Sequence, residues 1–317
     1  MKLTELKPGD SVLGFYLLSS AAKKITSTGK PFLTMLLSDR YGTIEAKVWD
    51  YSGPISAEDA GKVIKISGSV GEFRGTPQIT VDRLRMATAE DAYDLADLVP
   101  TAPIDMPASY ADVERLLSSI ADADYKAVCL SLLGKYGAEF KKIPAAKAVH
   151  HAFIGGLLMH THNMMRAADF LASLYTGTVD RSLLVAGAFL HDIAKILEFD
   201  VSDIGLVTEY TVPGKLLGHL VMGAMQVRDI CRDLGIPEEK SMLLQHMVLS
   251  HHGEPDFGAA VKPQCAESEL LSYIDMMDSR MEIYAETFQN TEIGKFSDKV
   301  FALDGKSLYR HIEAETV

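Results

Sequence analysis

Two periodicities divide the chain. Up to residue 86, apolar, β-branched and aromatic residues come in short runs: Ser11–Ser20, Pro31–Ser38, Thr43–Trp49, Lys62–Val70 and Gln78–Arg83. Turn signals separate them: Ser27-Thr28-Gly29, Tyr41-Gly42, Ser52-Gly53-Pro54 and Arg74-Gly75-Thr76-Pro77. This pattern predicts five strands, with a helical turn near Ala57–Gly61. Beyond residue 108 the apolar spacing becomes helical. Helices are predicted around Ser109–Ala121, Asp124–Leu133, Lys135–Lys142, His150–Tyr175, Asp180–His191, Gly214–Leu234, Glu238–Ser250 and Ser268–Ala285.

Five short strands of this length fit a small Greek-key barrel of the OB-fold type. The acidic, proline-ended stretch from Ala87 to Pro107 reads as a short helix and an extended linker. The expected organisation is a multidomain α and β protein. It has an N-terminal OB-like β-barrel over 1–86, a linker over 87–108, an all-α helical bundle over 109–300 and a C-terminal tail over 301–317.

Composition narrows the function classes. With 47% hydrophobic and 23% charged residues in 317, the chain is neither disordered nor collagen-like. Three scattered cysteines, Cys129, Cys231 and Cys265, form neither a disulfide framework nor a zinc-finger pair, so a reducing, cytoplasmic setting is expected. No run approaches 18 uncharged apolar residues, so no membrane association is expected. The net charge of −12 argues against gripping duplex DNA by bulk electrostatics. That average hides an asymmetry: residues 1–86 carry 12 Lys+Arg against 9 Asp+Glu, a net +3, and the remainder is strongly acidic.

The basic module has the parts of a single-strand binding surface. Phe32, Trp49, Tyr51 and Phe73 offer stacking platforms, and Lys23, Lys24, Lys30, Lys47 and Arg74 offer cations for phosphates. Phe15 and Tyr16 are neighbours on one strand and face opposite ways. Tyr16 is expected to line the groove, because a phenol suits a wet face.

Nine of the ten histidines fall between residues 150 and 252. His160 lies in GGLLMHTHNM, His191-Asp192 ends an apolar stretch, His219 follows Gly218, His251-His252 lie in MVLSHHGEPDFG, and Asp275 and Asp278 lie in LLSYIDMMDSRM. Each places an ionisable side chain on an apolar helical stripe. Burying so many without partners would cost several kcal/mol per group, and bound divalent cations would offset that cost. Adjacent helical residues point about 100° apart, so His191 and Asp192 can share a cation only between helices or at a helix end.

The order of His160, His191-Asp192 and a later Asp275 resembles the HD-domain metal-dependent phosphohydrolases. His219 and His251-His252 resemble the added ligands of two-metal members. With an OB-like N-terminus, the segments HHAFIGGLLMHT, FLHDIAK, GKLLGHL, LSHHG and YIDMMDS look like the YhaM-type 3′–5′ exoribonucleases. That resemblance implies an OB barrel joined to an HD helical domain, and a pair of divalent ions. Manganese is favoured, with iron, nickel, cobalt or magnesium as alternatives. The activity implied is 3′–5′ trimming of single-stranded RNA; whether single-stranded DNA is trimmed as well is left open, since stacking grooves tolerate many sequences. By motif position His160, His191, Asp192 and Asp275 would be ligands of one metal, and His219, His251 and His252 of a second. Lys195 would contact phosphate and His151 would face substrate.

We expect Asp192 to bridge the metals, as the carboxylate beside a ligand histidine. Two departures stand out: Met159 where many relatives carry an acid, and His162 where they are usually apolar. His246 has no assigned role. The alternatives are an HD phosphohydrolase of free nucleotides or cyclic dinucleotides, and a non-catalytic RNA-binding protein with a structural metal site. Exposed barrel edges would also permit a homo-oligomer.

Overall fold

The computed structural model describes residues 2–26, 28–73, 75–99, 101–145, 153–201, 207–289 and 291–311. The chain divides into two compact units, Met1–Thr101 with Val201–Thr208, and Ala102–Asp200 with Glu209–Val317.

The first unit is a closed barrel of β1 (Ser11–Ile25), β2 (Pro31–Asp39), β3 (Gly42–Trp49), β4 (Val63–Phe73) and β5 (Thr76–Met86), in the order β1-β2-β3-β5-β4. Closure depends on the length of β1. Its first half pairs with β4 (Ser11 opposite Ser69) and its second half with β2 (Ile25 opposite Pro31), with a register shift between Leu18 and Ser20. A parallel pairing of β3 with β5, Glu45–Lys47 against Gln78–Thr80, completes the OB-fold topology. Alternation fills the interior: Leu33, Met35 and Leu37 point inward from β2, Ile44 and Ala46 from β3, and Ile64 and Ile66 from β4. Where β4 passes the bulge in β5, with Ser67 opposite Arg83 and Gly68 opposite Val81, only glycine fits. A Cβ at Gly68 would stand 2.2 Å from the Thr80 carbonyl oxygen. The turn between β3 and β4 is a single 3-10 turn, Ala57–Asp59, held by a capping box from Ser56.

Alternation also overturns one expectation. Val12, Tyr16 and Leu18 belong to the inner set of β1, and Tyr16 is only 4% exposed, with burial raising the pKa of its hydroxyl. Strand parity outweighs the preference of a phenol for water, so Tyr16 is core and not a groove residue. Phe15 takes the outer position, with the Lys65 ammonium 4.9 Å from its ring centroid and the Tyr93 ring 5.0 Å away.

A short helix, α1 (Leu95–Leu98), follows β5. The second unit is helical: α2 (Met106–Ser118), α3 (Ala123–Phe140), α4 (Gly156–Leu174), α5 (Arg181–Leu190), α6 (Lys195–Glu198), α7 (Val212–Leu234), α8 (Glu238–Ser250) and α9 (Ala266–Gln289). The two helices predicted over 124–142 are one, because Gly134 costs a helix only about 1 kcal/mol. Asp105, Asp122, Asp180 and Thr211 accept from backbone N–H groups and start α2, α3, α5 and α7.

Helix α5 is apolar all round, and Ser182–Leu190 are all buried; it packs against α3, α4, α8 and α9. Two small sheets were not legible in the pattern. Between α6 and α7, β6 (Phe199–Val201) pairs with β7 (Val207–Tyr210). After α9, β8 (Phe296–Val300) and β9 (Lys306–Tyr309) form a hairpin, and Leu303 and Leu308 there pack on Ile283.

Candidate functional site

Because α5 runs through the middle of the helical unit, the residues that end it are buried with it. His191 and Asp192 lie in the turn between α5 and α6, at 0% and 2% exposure. That helix end is where adjacent residues can face one point. Around them gather His160 from α4, His219 from α7, His251 and His252 after α8, and Asp275 from α9.

The distances define two lobes that meet at Asp192. In the first, His160 Nε2 is 3.2 Å from His191 Nε2 and 3.3 Å from Asp275 Oδ1. Asp192 Oδ2 is 3.3 Å from His191 Nε2 and 3.8 Å from His160 Nε2. In the second, Asp192 Oδ1 is 3.4 Å from His219 Nε2 and 3.7 Å from His251 Nε2. His219, His251 and His252 place one ligand atom each within 4.8 Å of one another, and so do His160, His191 and Asp275. All seven residues that the sequence reading marked as metal ligands thus come together.

The outer contacts fix how each imidazole is turned. His191 Nδ1 donates to the Ala188 carbonyl at 2.8 Å, and His251 Nδ1 to the Val248 carbonyl at 2.8 Å. His160 Nδ1 donates to Asp278 Oδ2 at 2.7 Å, and His219 Nδ1 to Glu198 Oε2 at 3.1 Å. Four rings are therefore held from behind by Nδ1, with Nε2 turned inward, the arrangement that second-layer partners impose on metal-ligating histidines. Four buried atoms in the cluster have no hydrogen-bond partner: Asp192 Oδ1, His219 Nε2, His251 Nε2 and His252 Nδ1. Orphaned buried donors and acceptors are costly, and convergent ones with imidazole and carboxylate chemistry fit divalent cations.

The electrostatics agree. Burial disfavours charge on Asp192, yet Lys195, His191 and His219 outweigh it and hold its pKa well below the usual carboxylate range. Burial, with His191 adding to it, keeps His251 neutral, and burial lowers His252 as well. At His160 burial is outweighed by Asp275 and Asp278, which push its pKa up to about 10. Lys195 Nζ lies 2.6 Å from Asp192 Oδ2; despite burial, that carboxylate keeps the ammonium charged.

Two further side chains contact the cluster from outside the expected ligand set, Asp278 and Glu198. Asp278 was visible one turn beyond Asp275 on the same helix, a spacing that shares a face. Glu198 had no signal. Its role depends on a break in α7 at Gly218 (φ 71°, ψ 164°), which presents the His219 N–H to Glu198 Oε1 at 3.1 Å. The departures also find places. Met159 packs with Ala102 and Phe153 on another face of α4. His162 Nε2 is 2.9 Å from Asp112 Oδ2, tying α4 to α2. His246 accepts from the Gln264 N–H at 3.0 Å and so holds the loop before α9.

A cavity of about 500 Å³ opens beside the cluster, lined by His160, Asp192, Lys195, His251, His252 and Asp275 and also by Tyr273 and Arg280. That volume lies in the range for small-molecule sites.

On the barrel, Phe32, Trp49, Lys47 and Phe73 come together on the outer surface. Phe32 pairs with Trp49 across β2 and β3, their rings 5.2 Å apart. The Lys47 ammonium sits 5.8 Å from the Trp49 ring and 4.8 Å from the Phe73 ring. Trp49 and Phe73 are about half exposed. Arg74 and His151 lie outside the described residues.

Residues 157–280 match the family profile of the HD domain. Among solved structures, the chain is similar to the second OB-fold domain of replication protein A from Methanococcus maripaludis, at 20% identity over 30% of this chain and 98% of that one, TM-score 0.22. It is also similar to the wild-type single-stranded DNA binding protein from Thermus aquaticus, at 17% identity over 27% of this chain and 43% of that one, TM-score 0.23. No helix among the described residues is long and apolar enough to cross a membrane.

Proposed function

We propose that this protein is a metal-dependent 3′–5′ exoribonuclease that hydrolyses phosphodiester bonds of single-stranded RNA. The HD match supplies the coarser statement, metal-dependent phosphohydrolysis. The observation that carries the reading is the set of inward-facing, partnerless ligand atoms around Asp192, in a chain that also has an OB barrel with exposed aromatics beside a lysine.

His160, His191, Asp192 and Asp275 would hold one divalent ion, and His219, His251, His252 and Asp192 a second. Such ions supply an activated water and charge neutralisation at the phosphate. Asp192 belongs to both sets, since its two oxygens face different lobes. Lys195 would hold non-bridging phosphate oxygens and steady the charge that develops on them. Asp278 and Glu198 keep His160 and His219 turned with Nε2 inward. Phe32, Trp49 and Phe73 would stack on bases without regard to sequence, and Lys47 would meet the backbone.

The test is incubation of the purified protein with 5′-labelled and 3′-labelled oligoribonucleotides, with manganese or with a chelator. Stepwise shortening of the 5′-labelled strand from its far end, abolished by chelation, is expected. Hydrolysis confined to free nucleotides, binding without turnover, or full activity under chelation would overturn the reading.

A further inference from the structure

Helix α9 forms a wall of the cavity and meets it with two stripes of side chains. Ser272, Asp275 and Ser279 make one; Tyr273, Met276 and Arg280 make the next, at spacings of three and four. Arg280 stands apart from the other cavity cation. Lys195 is paired with Asp192 at 2.6 Å, whereas Arg280 has no carboxylate within ion-pair distance among the described residues. One nearby acid is engaged elsewhere: Glu254 pairs with Lys262 at 2.6 Å. A half-buried guanidinium on the wall of an acid-rich cavity, with its charge not neutralised internally, is set to receive an anion from outside. Its planar fork of donors matches phosphate oxygens better than a lysine would.

Position identifies the anion. Arg280 lies five residues beyond Asp275, about 7.5 Å along the helix axis. That offset removes it from the phosphate at the ligand cluster and brings it to the next along a strand. We propose that Arg280 binds the phosphate adjacent to the one being hydrolysed, so that the site selects substrates with at least two successive phosphates. This rests on the proposed reading in one respect, that the substrate is a strand.

The test uses hydrolysis of bis(p-nitrophenyl) phosphate by the full chain with manganese, a reaction that reports on the cavity alone. A dinucleoside monophosphate and a trinucleoside diphosphate are compared as inhibitors. The wild type should favour the diphosphate by about 10- to 100-fold, the range for one hydrogen-bonded charge pair. Arg280→Met should collapse that ratio to near unity, whatever its turnover, and Arg280→Lys should keep part of it. If hydrolysis is too slow to follow, calorimetric Kd values for the two ligands give the same ratio. An Arg280→Met protein with the wild-type ratio, or a wild type with no preference, overturns the assignment. A wild type that keeps the preference but shortens no oligoribonucleotide removes the nuclease reading and leaves Arg280 as assigned.

Discussion

Glu198 holds His219 at two points: one carboxylate oxygen takes the ring Nδ1–H at 3.1 Å, and the other takes the backbone N–H at 3.1 Å. The ring is thereby fixed with Nε2 toward Asp192 before any cation arrives. Such support is worth about 10- to 100-fold in metal affinity. Glu198→Gln should weaken manganese binding by that factor with little change in the circular dichroism spectrum. Unaltered affinity in a titration would show that His219 needs no such support.

Two lobes sharing one carboxylate predict two ions per chain. Equilibrium dialysis with manganese should find two in the wild type and one in His252→Ala, because His252 contributes to the second lobe alone. A wild type saturating at a single ion would contradict the paired arrangement.

The buried Asp192 neutralises a partly buried lysine as well as facing both lobes. Asp192→Ala should abolish hydrolysis, and it should also cost about 1–3 kcal/mol by leaving the partly buried Lys195 ammonium without its counter-ion. The double change Asp192→Ala with Lys195→Met should recover much of that stability and none of the activity. Guanidinium unfolding separates the two losses. A single variant as stable as the wild type would mean that the pair contributes little.

His160 should govern the pH dependence of metal uptake. Its pKa, raised to about 10 by Asp275 and Asp278 against the opposing effect of burial, leaves it protonated at neutral pH in the absence of a cation. Nε2 must lose that proton to become a ligand, so binding releases a proton and the apparent affinity rises with pH up to about 10. His251 and His252, kept neutral by burial, add no such requirement near neutrality. Calorimetry in buffers of different ionisation enthalpy should register about one proton released at pH 7. No buffer dependence would exclude His160 as the source.

The barrel aromatics divide by strand parity. Trp49→Ala and Phe73→Ala should each weaken binding of an oligoribonucleotide by about 1–3 kcal/mol, or roughly 5- to 150-fold, with little effect on melting. Tyr16→Ala should instead destabilise the barrel by about 3 kcal/mol or more, as for other large core truncations. Fluorescence anisotropy with thermal unfolding decides between the two behaviours. A Trp49 variant that binds normally would place the strand elsewhere.

The pattern of apolar residues along the chain by itself determined the elements. Short apolar, β-branched runs between turn signals named the five barrel strands, though not the four of the two small sheets, and helical spacing named most of the helices, because burying one face of a strand or helix leaves a local record. The apolar run of Leu183–Leu190 likewise marked a core-facing helical stripe that ends at His191 and Asp192; that the helix is buried on every side came from packing. Tertiary structure decided what depends on contacts between distant residues. Whether Tyr16 or Phe15 faces inward follows from the register of β1 against β4, which a single strand cannot specify. That Glu198 orients His219 follows from a backbone break at Gly218 that brings α7 back against the end of α6. That seven ligand-type side chains meet at one point follows from helix packing around α5, since no spacing along a chain records the distance between residues more than a hundred positions apart.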